Sequence, residues 1–214
     1  MAISKIVTNS VDSGVTITSP TLVTPVLSGS VTGTYTLAGT GTLSSPIISG
    51  TPTGVGVLTS DTAQATTSGT FKDFTGIPSW VKRVTVMFNG VSTNGTSGVL
   101  VQLGTGGTPT TSGYVGMTVA ITTVNNTTRG VIYTTGFGLV TAGAIADSFC
   151  GAFIFSLLGS NTWALTGSVY SNTQAAVIMS SGTIALAGVL NIARITTVNG
   201  TDTFDAGSIN ILYE

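Results

Sequence analysis

The sequence has no histidine, one cysteine, and only six basic and seven acidic residues among 214. Without histidine there is no Ser-His-Asp triad and no imidazole metal site, and one thiol cannot build a zinc cluster or an intrachain disulfide. No Gly-x-Gly-x-x-Gly leads from a strand into a helix, so the 29 glycines read as turns and not as phosphate loops. Lys, Glu, Gln and Arg, the good helix formers, are scarce. The N-terminal MAISKIVTNS has neither the basic start nor the apolar core of a secretory leader, and no run reaches membrane-span length, so neither an export signal nor membrane insertion is expected. No cofactor and no nucleic-acid partner is expected either. Cys150, set in SFCGAFIFSLLG, is expected to be a buried, inert thiol.

What remains is rich in Thr, Ser, Gly and Val. The chain is 42% hydrophobic but only 6% charged, against about 25% for an ordinary soluble domain. Its surface must consist of hydroxyls, amides and backbone. A chain of that kind avoids aggregation by being consumed in an ordered oligomer with few exposed strand edges. The apolar content is too high for a disordered chain, and the fold class expected is all-β.

The N-terminal third is repetitive. TSPTLVTPVLSG (Thr18–Gly29) is echoed by LSSPIISG (Leu43–Gly50), with Pro25 and Pro46 separated by 21 residues, and TGTYTLAGTGTL lies between them. Strands this short cannot bury an apolar face within one chain. Stacked around an axis with copies from other chains, they can, and the expectation is a trimeric β stem over residues 1–62. Thr53–Ser68 loses the Pro repeat, which places the boundary of a second domain, residues 63–214, near Ala63.

In this second domain Val84, Val86 and Phe88 alternate with Thr85, Met87 and Asn89, the pattern of a strand with one face in a core. Val99, Val101 and Leu103 give another across the Asn94–Gly95 turn region. Phe74, Ile77 and Trp80 are expected to close the base of the core. Phe149–Leu158 is nearly continuous apolar sequence and reads as a strand buried on both faces, hence as a central strand or one at a subunit interface. TWALTGSVYS, AAVIMSS and TIALAG continue a rhythm of short strands, as in an antiparallel β-sandwich head of jelly-roll-like kind, with a single helical turn around residues 144–148. The closing run alternates Ile209, Ile211 and Tyr213 with Ser208, Asn210 and Leu212, so the chain is expected to end in a strand, the counterpart of VKRVTVMFNG.

Few residues offer chemistry. Asp202 and Asp205, after the Asn199–Gly200 turn, are the nearest approach to the carboxylate pair of a glycan hydrolase, with Asp73 and Glu214 as further acids; loop carboxylates more often accept backbone amides, and that role is expected, ahead of calcium ligation or hydrolysis. Lys72, Lys82 and Arg83 form a small basic group, expected to pair with Asp73 or a neighbouring subunit. Exposed aromatics would suit a sugar surface, and Tyr114, Tyr133, Trp163 and Tyr170 are the candidate ligand contacts. No catalytic residue and no metal ligand is assigned, and no enzyme activity is expected.

IPSWVKRVTVMFNGVSTNGTSGVLVQLG together with RITTVNGTDTFDAGSINILYE resembles the C-terminal domain of tail-fibre-like and other structural proteins of tailed bacteriophages, and the two Pro-containing repeats resemble those that precede it. The resemblance implies a virion location, more in the tail than the head, and a homotrimer attached to other virion proteins by its N-terminal segment. It implies a C-terminal domain turned toward a host cell-surface receptor, glycan or protein. A head decoration fibre or baseplate component, or a glycan depolymerase, are the alternatives. The resemblance brings no catalytic residues with it.

Overall fold

The computed structural model describes residues 58–123, 127–139 and 147–214. The stem repeats lie outside the described residues, as do 144–146 of the expected helical turn; Asp147 and Ser148 are not helical, and the described residues contain no helix. They form strands only: β1 (Thr59–Ser60), β2 (Gln64–Ala65), β3 (Phe71–Thr75), β4 (Arg83–Thr93), β5 (Val99–Thr105), β6 (Thr108–Pro109) and β7 (Val115–Thr122). There follow β8 (Thr128–Ile132), β9 (Phe137–Gly138), β10 (Phe149–Gly159), β11 (Thr162–Ser171), β12 (Ala176–Ala185), β13 (Ile192–Thr197) and β14 (Phe204–Tyr213).

Every strand pairing is antiparallel, and the pairs make two sheets. The long sheet runs β1-β14-β4-β10-β11-β12-β7-β8, with β2 also on β14; the short one runs β3-β13-β5-β6, with β9 also on β5. Residues of both sheets contribute to one hydrophobic core. Alternation decides which side chains enter it. Val84, Val86 and Phe88 of β4 are buried, as are Ile209 and Ile211 of β14, and β14 lies directly against β4 with Ile211 opposite Val86 and Tyr213 opposite Val84. The expected partnership of the closing strand with VKRVTVMFNG is thus present in register. Thr59 and Ser60, on the stem side of the expected boundary, pair with Tyr213 and Leu212.

Several expectations need correction. Strands β4 and β5 do not form a hairpin: the chain passes between them from the long sheet to the short one. Within one chain, burial on both faces belongs to β5, while β10 buries one face and leaves the other uncovered. Val99, Val101 and Leu103 enter the core, while Leu100 and Gln102 on the other face are also buried. Gln102 Nε2 donates to the Thr135 carbonyl at 2.8 Å, so the approach to β9 lies against that side. In β10, Phe149, Phe153 and Phe155 face inward, whereas Ala152, Ile154 and Ser156 are half-buried and Leu158 is exposed. Cys150 falls on the outward side by the same alternation and is exposed, not buried; its Sγ accepts the Gly90 amide at 3.2 Å. AAVIMSS and TIALAG are one strand, because Gly182 continues β12 through the expected break. It can do so with a φ of 159°, and a side chain there would press on the Val115 carbonyl and the Phe137 ring. Phe74 belongs to β3 and is buried together with Ile77, while Trp80 is partly buried against the core and Tyr213, with ring centroids 5.9 Å apart.

Aromatic rings join the two sheets. Phe88 meets Phe153 edge to face at 5.7 Å, Phe155 lies 5.6 Å from Phe137 of the short sheet, and Phe137 meets Tyr114 edge to face at 4.9 Å. Each buried Phe contributes about 1.5–3 kcal/mol by leaving water. Tyr114 also completes the hydrogen bonding of β5. On that edge β9 pairs with Leu100 and Val101, and β6 with Gly104 and Thr105, which leaves a gap at Leu103. The Leu103 amide donates to the Tyr114 hydroxyl at 2.9 Å, and the hydroxyl proton is shared between the carbonyls of Thr110 at 2.9 Å and Leu103 at 3.2 Å.

Tyr114→Phe would strand the Leu103 amide in the core, and equilibrium denaturation should show a loss of about 1–3 kcal/mol. Burial pushes the Tyr114 hydroxyl well above the ordinary phenol value, opposed in part by the Leu103 bond. A raised folded value means stability that is full below about pH 10 and lost as pH rises further. Tyr133 is shifted the same way by burial, so Tyr114→Phe should reduce but not abolish the alkaline loss in pH-dependent melts. An unchanged stability would show that the hydroxyl does not complete the strand.

Candidate functional site

Asp202 sits where the chain crosses from the short sheet back to the long one, between β13 and β14, and its loop is knitted to the β4–β5 loop, which makes the opposite crossing. The Asn199 side-chain oxygen accepts the amides of Thr201 at 3.0 Å and Asp202 at 3.1 Å and the Thr197 hydroxyl at 2.9 Å. Its Nδ2 donates to Asp202 Oδ1 at 2.6 Å. Asp202 Oδ2 accepts the Ser97 amide at 2.9 Å, the Asn199 amide donates to the Ser97 hydroxyl at 3.0 Å, and Asn94 Oδ1 accepts the Thr203 amide at 2.9 Å. The bond from Asn199, then that from the Ser97 amide, hold the Asp202 carboxyl below its usual range. Gly95 leaves room for this arrangement, because a Cβ there would fall on the Asp202 carboxylate and push it aside.

The other acids have separate partners. Asp205 accepts the Ser92 hydroxyl, and Glu214 pairs with Arg83. Asp73 is held by both Arg194 Nε and Nη2 at 2.7 Å, and the guanidinium also lies 4.1 Å from the centroid of the Phe71 ring. This fork-to-carboxylate geometry raises the Arg194 value above its ordinary one. The expected pairing of Asp73 with the basic group is therefore corrected: Asp73 answers to Arg194, directly opposite it on β13, and Arg83 to Glu214. The Arg83–Glu214 pair is exposed and contributes at most about 1 kcal/mol. Among the described residues no three of His, Cys, Asp and Glu gather as metal ligands.

The aromatic candidates separate by burial. Tyr114 and Trp163 are 3% and 2% exposed and belong to the core, because each lies on the inward face of its segment; neither offers a surface to a sugar. Tyr133 is half-buried with its ring over Gly138, where any side chain would collide with it. Tyr170 is 46% exposed. It projects from the outer face of the long sheet, beside Val177 and Cys150 on the neighbouring strands.

Two features were not anticipated from the sequence. Asp147 is buried, and its carboxylate accepts the Ser171 hydroxyl at 2.9 and 2.7 Å, the Thr173 amide at 3.0 Å and Gln174 Nε2 at 3.0 Å. It thereby anchors the turn between β11 and β12. Nothing in the SNTQ sequence at 171–174 points to a carboxylate 24 residues earlier. The second is the outer face of the long sheet, where Val115, Met117, Ile121, Ile132, Val177 and Met179 are all exposed.

The depressed Asp202 value stabilises the fold above the ordinary carboxylate range and is lost as pH falls below about 4. Asp202→Asn should therefore flatten part of the acid limb of a stability–pH profile. Gly95→Ala should displace the carboxylate and cost about 1–2 kcal/mol at neutral pH. An Asp202→Asn profile parallel to the parent's below pH 4 would contradict this role. Comparison with known proteins found no family model, no curated protein and no solved structure that matches this chain.

Proposed function

We propose that the chain is a virion structural protein, a tail fibre that attaches a phage particle to a polysaccharide on the host cell surface, and that it acts by binding and not by catalysis. In this proposal residues 1–62 form a trimeric β stem whose N-terminal segment docks to other virion proteins. The two sheets form a sandwich head of jelly-roll-like kind. Three heads on one stem turn weak single-site sugar contacts into useful avidity.

The observation that supports the proposal is the β4–β14 pair. The two stretches that resemble phage fibre domains, VKRVTVMFNG and the closing run, lie far apart in sequence yet run side by side over most of their length. The resemblance thus falls on segments that frame one domain, and not on two unrelated strands.

The test is the place of the chain in an intact particle together with adsorption. A density map should put residues 1–5 against tail proteins with three-fold symmetry, and the purified full chain, added in excess, should slow adsorption of the particle to host cells. Contact of residues 1–5 with capsid subunits, or adsorption unaffected by saturating protein, would overturn the tail-fibre assignment.

A further inference from the structure

The outer face of the long sheet differs in chemistry from an ordinary solvated surface. Strand register places Cys150, Tyr170, Val177 and Ile121 in one row across β10, β11, β12 and β7. A parallel row runs Ala152, Ser168, Met179, Val119 and Gly130, ending on β8; the next runs Ile154, Thr166, Ser181, Met117 and Ile132. No outward-facing position on these five strands carries a charge; between the apolar side chains there are only Ser, Thr and Gly.

Five strands about 4.8 Å apart and about 27 Å long make a face of roughly 650 Å². Its apolar share, with Ser, Thr and Gly set between, is of the size of the largest apolar patches on monomeric proteins, about 300–600 Å², which commonly mark interaction sites. A standard protein interface takes about 800 Å² from each partner.

We propose that this face, over β10, β11, β12, β7 and β8, is where copies of the chain pack against one another, turned toward the axis of the oligomer. The inference rests on the homotrimer of the proposed function and names its surface. The occupant follows from the chemistry. A partner with an ordinary charged surface would have to desolvate its charges against a face that has none to pair with them, which is costly. A second copy brings the same uncharged apolar and hydroxyl surface, so nothing charged is buried and both patches leave water together. In a three-fold arrangement each face is divided between two neighbours.

Cys150, the one thiol of the chain, lies on this face opposite Tyr170 and reports on it directly. The full chain is treated with iodoacetamide and its native mass is measured in parallel. The expected result is a trimer whose Cys150 reacts at least ten-fold more slowly than the thiol of the unfolded chain, with Met179→Asp restoring fast alkylation while the β-sheet circular dichroism is retained. Ile121→Asp, one strand away, provides a second variant should the first misfold. A trimer with a fast-reacting Cys150 overturns this inference, leaving the face open to some other partner, while the oligomeric stem reading stands. Slow alkylation that neither folded variant relieves also overturns it. A monomer overturns both.

Discussion

The fold depends on the pairing of β4 with β14, the first long strand of the described residues and the strand that closes them. More than a hundred residues separate them, and everything between must leave and return so that Val84 meets Tyr213 and Val86 meets Ile211. Such a contact is entropically expensive to close and is compensated only when the core beneath it is complete. The same constraint brings two of the sheet-to-sheet crossings together. The loop after β4 passes to the short sheet and the loop before β14 returns from it, and because these two strands are neighbours their loops meet. Asn94, Ser97, Asn199 and Asp202 then satisfy one another's amides in place of water. Asp202 and Asp205, the nearest approach to a catalytic carboxylate pair, have different partners in this geometry: Asp202 accepts a backbone amide, the role expected of it, and Asp205, on β14, accepts the Ser92 hydroxyl.

Much of the strand content was legible because a period of two reports one buried face. The alternation in Val84–Phe88 and Ile209–Tyr213 predicts both the strands and which of their side chains face the core: Val84, Val86, Phe88, Ile209 and Ile211 are buried in it and Tyr213 packs against it partly buried. Alternation is silent on which sheet a strand joins. The Asn94–Gly95 signal marked a turn, yet here it lies in a loop that changes sheets, where the glycine leaves room for the Asp202 carboxylate. An unbroken apolar run is equally ambiguous. It marked β10 as a central strand or one at a subunit interface, and within one chain the run packs phenylalanines inward and leaves Cys150 and Leu158 outside; full burial within the chain goes to β5, whose Gln102 gave no such signal but is covered through its bond to Thr135.

The candidate site was less legible than the fold. Loop or strand-end position nominated four aromatics, but position along a chain does not say which way a ring points. Tyr114 turned inward because the short sheet has a gap at Leu103 that a hydroxyl can fill, and Trp163 because its strand alternates. The low overall charge and the apolar run of β10 hinted at the outer face of the long sheet, but neither located it. Its residues are spread over strands that are distant in sequence, and their adjacency exists only through register. A chain with 6% charged residues has few means of keeping such a face in water, so composition and geometry meet at the same surface.

The central claim, that β4 and β14 hold the unit together, is tested most directly by native-state hydrogen exchange resolved to individual amides. The account predicts that the paired amides of β4 and of β14 from Ile209 to Tyr213 are among the slowest in the chain and exchange together, through global unfolding, with the free energy measured by denaturation. If the β14 amides exchanged orders of magnitude faster than those of β11 and β12, the closing strand would be a frayed addition to a sheet that stands without it, and the claim would be wrong.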